Sequence, residues 1–95
     1  MGEIKTYYKI NSLNVNEEEF KKIKSKLEEM SLAQPTEEMK NFAEKMGWPI
    51  VAKEIILAGS DIHKRMSSRV DFYSKDDQDN KNGFIGSIDY SFNIR

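Results

Sequence analysis

Side chains suited to binding recur at every second position in two stretches of this 95-residue chain. Arg69, Asp71 and Tyr73 alternate with Met66, Ser68, Val70 and Phe72, while Ile85, Ser87, Asp89, Ser91, Asn93 and Arg95 alternate with Phe84, Gly86, Ile88, Tyr90, Phe92 and Ile94. A period of two sends one set to one face of a strand and the other set to the opposite face. Tyr7 has the outer parity in an earlier alternating stretch, Ile4 to Ile10. Tyr7, Arg69, Asp71, Tyr73, Asp89 and Arg95 are therefore the candidate partner-binding residues. Tyrosine and arginine are the usual anchors of protein interfaces. Rings interleaved with guanidinium groups also suit a single-stranded nucleic-acid platform, against which Asp71 and Asp89 count because each repels phosphate. The plain alternative is a solvated face with cross-strand ion pairs such as Arg69 to Asp89.

His63, Lys64 and Arg65 form the one basic cluster and are placed as a border to that face. His63 is the only histidine, and its nearest acid, Asp61, lies two positions away with no serine nucleophile or glycine-rich phosphate loop to complete a site. No catalytic residue is assigned and an enzyme is not expected. The loop from Gln78 through Asn80, Asn82, Gly83 and Ile85 to Asp89 has the spacing of a helix-flanked calcium loop. Its first ligand position holds an amide, and strands rather than helices flank it, so a solvated hairpin loop is expected and no metal or cofactor is assigned. Gly2 with Thr6 meets a myristoylation pattern too short to carry an expectation.

The composition narrows the class further. Fifteen basic and sixteen acidic residues leave a formal net charge of −1, so there is no global attraction to nucleic acid or anionic membrane. With no cysteine, disulfides, thiolate metal sites and thiol nucleophiles are excluded. No apolar run reaches the length of a membrane span, and a single cytoplasmic domain over residues 1–95 is expected.

Two helices must cover the apolar parity of these strands. Asn16 before Glu17, Glu18 and Glu19 is an N-cap with a capping box, and the helix should run to Met30 with Phe20, Ile23, Leu27 and Met30 as its buried stripe. Thr36 caps a second helix with the stripe Met39, Phe42, Ala43 and Met46, which Gly47 ends as a left-handed cap. Ile50 to Ala58 reads as a strand apolar on both faces apart from Lys53 and Glu54, hence interior to the sheet. The third strand starts at Met66, and the fourth runs unbroken from Gly83 to Arg95, about 35 Å.

The expected fold is α+β: a four-stranded antiparallel sheet in the sequence β-α-α-β-β-β, with a two-helix hairpin on one face and strand order 1-2-3-4 or 2-3-4-1. The expected function is a small non-enzymatic protein-binding module acting through its open sheet face, in the manner of inhibitors, immunity proteins and phage or mobile-element accessory proteins. Single-stranded nucleic-acid binding by the same tyrosines and arginines is the alternative. An exposed edge strand could also add a partner strand or pair two copies into a homodimer.

Overall fold

A computed structural model describes residues 4–11, 15–60, 65–75 and 83–94. His63, Lys64, Arg95, Gly2 and most of the acidic loop that follows Lys75 lie outside the described residues. The elements are β1 (Lys5–Ile10), α1 (Glu17–Ser31), α2 (Glu37–Met46), β2 (Ala52–Ser60), β3 (Arg65–Tyr73), β4 (Phe84–Asp89) and β5 (Phe92–Asn93).

Both helices start where local chemistry dictates. The Asn16 side chain accepts from the Glu19 N–H at 2.8 Å while the Asn16 N–H donates to the Glu19 carboxylate at 3.1 Å, a reciprocal capping box. Thr36 Oγ1 accepts from the Met39 N–H, and Gly47 closes α2 at φ 71°, a left-handed conformation that favours glycine. The C-terminus of α1 is completed from the sheet. Lys53 points into the covered face and its Nζ donates to the carbonyls of Ser31 at 2.5 Å and Ala33 at 3.0 Å. Burial lowers the Lys53 pKa, yet those carbonyls and the negative end of the helix give the ammonium partners.

The sheet order is β1-β2-β3-β4, with β5 also on β3. Strands β2, β3 and β4 are antiparallel as expected, but β1 is parallel to β2, with Lys5 opposite Ala52 and Ile10 opposite Leu57. The all-antiparallel expectation treated the helix pair as a hairpin that returns the chain to the end where β1 stopped. Instead the helices advance along the sheet one after the other. Ile23, early in α1, packs with Leu57, Met66 and Ile94; Met30 and Met39 pack with Ile55, Val70 and Phe72. Met39 also crowds the face of Gly86, whose added Cβ would lie 3.1 Å from its side chain. Together α1 on β2 and α2 on β4 form the long crossover that a parallel strand pair requires.

The last stretch keeps one register along β3, from Arg69 opposite Asp89 to Met66 opposite Phe92, but it is not one strand. Asp89 Oδ1 accepts from the Ser91 N–H and Ser91 Oγ, and this turn separates β4 from β5. A second irregularity, between Phe72 and Tyr73, lets Ile85 pack on the core and turns Phe84 outward opposite Tyr73. One inserted residue reverses parity, so the inward expectation for Phe84 fails while Ile88, Tyr90, Phe92 and Ile94 meet theirs. The helix stripes are also narrower than expected: Phe20, Phe42 and Met46 are exposed.

Candidate functional site

The face without helices is built from three transverse rows set by strand register. Lys5, Ala52, Tyr73 and Phe84 form the first; Tyr7, Glu54, Asp71 and Ser87 the second; Lys9, Ile56, Arg69 and Asp89 the third. Five predicted residues, Tyr7, Arg69, Asp71, Tyr73 and Asp89, thus share one surface. Arg65, exposed at the start of β3, sits at its border, where its charge helps lower the Asp89 pKa. Arg95, His63 and Lys64 are outside the described residues.

The middle row is a polar core without helical cover. Glu54 and Asp71 stand on adjacent strands and both are buried, screened by the longer side chains around them. Asp71 is the organising acceptor: Ser87 Oγ donates to it at 2.6 Å, Arg69 Nε at 3.1 Å and Tyr73 Oη at 3.5 Å. These donors satisfy its lone pairs, which is what a carboxylate held from water requires. Tyr73 in turn is pushed up to a pKa of about 12, by burial first and then by the negative charges of Asp71 and Glu54. Its ring meets Phe84 edge-on, with centroids 5.7 Å apart.

Arg69 has two carboxylates within reach of its strand position and bonds to only one of them. The cross-strand pair with Asp89, the example given for a plainly solvated face, does not form, although the two residues are register partners. Asp89 is engaged by the N–H and hydroxyl of Ser91, which hold its pKa below the usual carboxylate value. Arg69 bonds instead to Asp71, two positions along its own strand, through Nε alone. Its side chain stays 55% exposed over a carboxylate that is 6% exposed, and its terminal nitrogens have no partner among the described residues. The guanidinium is thereby oriented while its outer edge remains available for two parallel hydrogen bonds.

Beside it lies a cleft of about 290 Å³ with Ile56 and Ala58 as apolar lining and Ser67, Arg69, Ser87, Asp89 and Ser91 as polar lining. Sequence reasoning passed over Ile56 and Ala58 as half of an interior strand. Their outward parity was the available signal, because a strand apolar on both faces brings apolar surface to a face that helices do not cover. Groups of three or more histidine, cysteine or carboxylate side chains able to hold a metal are absent among the described residues, as is any helix long and apolar enough to cross a membrane. Comparison with known proteins finds no family model, no curated protein and no solved structure that matches this chain.

Proposed function

We propose that this chain is a non-enzymatic protein-binding module whose recognition surface is the open sheet face. The observation that carries the reading is the clamp on Arg69: a buried carboxylate fixes Nε and leaves the outer nitrogens facing solvent. An arginine ordered before contact loses less conformational freedom on binding than a free one, and its fork matches a partner carboxylate. The apolar cleft beside Arg69 and the half-buried rings of Tyr7 and Tyr73 supply the contact area that a lone ion pair lacks. Glu54, Asp71 and Asp89 on the same face favour a protein partner over nucleic acid, since their charges oppose phosphate.

The test is affinity capture from nuclease-treated lysate of the source cell, with the wild type, Arg69→Lys and the double variant Arg69→Ala, Tyr73→Ala compared. A stoichiometric protein held by the wild type and released by both variants is the expected result, because lysine keeps the charge but not the fork. Equal capture by all three, or loss of every partner on nuclease treatment, overturns the reading. Thermal melts of the variants confirm that each remains folded.

A further inference from the structure

We propose that the outer edge of β1 is a strand-addition site for an extended peptide in which acidic and apolar residues alternate. The inference does not rest on the open-face reading, because it uses the backbone edge of β1 and the side chains that flank it rather than the Arg69 clamp.

The main-chain geometry comes first. The Lys5 N–H donates to Val51 O at 2.9 Å and the Asn11 N–H donates to Leu57 O at 3.1 Å, so odd-numbered residues of β1 bond toward β2. Alternation then turns the N–H and C=O of Thr6, Tyr8 and Ile10 to the outer edge, where no strand pairs among the described residues. The opposite edge of the sheet is guarded. There the parity reversal at Ile85 and the Asp89 to Ser91 turn interrupt any continuous ladder.

The side chains define what would fit. Tyr8 and Ile10 lie on the helix side yet are 49% and 46% exposed, and α1 rests principally on β2. Phe20, 52% exposed, lies on the flank of α1 opposite Lys26. Lys26 reaches Phe92 in β5, which leaves Phe20 on the flank of α1 away from β5. An added strand would therefore meet apolar surface on its helix side. On its other side it would meet Lys5, over the Tyr7 ring, and Lys9, which has no ion-pair partner among the described residues. Apolar residues on one parity and carboxylates on the other satisfy both faces at once. A second copy of β1 fits less well, since pairing two copies would crowd their lysines onto one face.

The probe is the synthetic peptide Glu-Val-Glu-Val-Glu-Val, titrated into the isotope-labelled full chain and followed by amide NMR and hydrogen exchange. The alternating peptide is expected to shift and protect the amides of Thr6, Tyr8 and Ile10. Lysine in place of its glutamates, or the same residues regrouped in two blocks, should bind at least about tenfold more weakly. Lys9→Glu, which removes no side-chain bond among the described residues, should weaken the alternating peptide by about threefold to tenfold. Shifts confined to Arg69, Tyr73 and their neighbours overturn the proposal, as does equal binding of the block peptide. Concentration-dependent protection of the β1 edge without peptide also overturns it, in favour of self-pairing.

Discussion

The two faces of the sheet hide their contents in different ways. On the covered face Ile55, Leu57, Met66, Val70 and Phe72 are fully buried beneath α1 and α2, and the one buried ammonium among the described residues, Lys53, serves the end of a helix. On the open face the buried charged groups are carboxylates, Glu54 and Asp71, and the cover is a thin layer of tyrosine, arginine and serine side chains. Apolar burial on the first face stabilises the fold directly. The second face places two carboxylates on adjacent strands, and one of them, Asp71, bonds to both Arg69 and Tyr73. A surface that orders its own exposed side chains is suited to recognition, and the contrast between the faces can be measured.

The largest effect belongs to the covered face. Phe72→Ala is expected to lower unfolding free energy by about 3 to 5 kcal/mol, since the ring is fully buried and leaves a cavity. Urea denaturation gives the value, and a loss below about 1 kcal/mol would mean that the helices do not form the principal core. Asp71→Ala should be milder, about 1 kcal/mol, because its three donors lie near water and relief of the charge beside Glu54 offsets part of the loss. A loss as large as that of Phe72→Ala would erase the distinction between the faces. The smallest effect is in pH dependence. Tyr73 has its folded pKa raised from 10 to about 12, so the stability it contributes is present below pH 10 and is lost as pH rises toward 12. An absorbance titration of wild type minus Tyr73→Phe should show one tyrosine ionising near pH 12 in the folded protein. A difference step near 10 would mean that the open face gives Tyr73 no cover.

What could be read from the sequence divides along the same physical line. The caps at Asn16, Thr36 and Gly47 were legible because each depends on residues within one turn. The burial of Met66, Ser68, Val70 and Phe72 was legible because period-two alternation needs no knowledge of neighbours. The direction of β1 was not, since it depends on whether two helices fold back or run on, which is settled by their packing along the sheet. The parity of Phe84 was lost to a single inserted residue, and the cross-strand partner of Arg69, Asp89, to a serine two positions beyond it that occupies its carboxylate. Local hydrogen bonds thus overrode cross-strand pattern at the site, while pattern prevailed in the core.

The Lys53 contact bears on how the molecule assembles. The last turn of α1 carries no basic residue of its own, and the cation at its end arrives from β2, twenty positions beyond Ala33. Residues 17–31 in isolation would therefore keep a strong N-terminus and fray from the other end. The Leu32 and Ala33 N–H groups and the Ser31 hydroxyl hold the final turn locally, and docking of β2 adds the positive charge that complements this end of the helix, so protection of the last turn should rise as the sheet is completed.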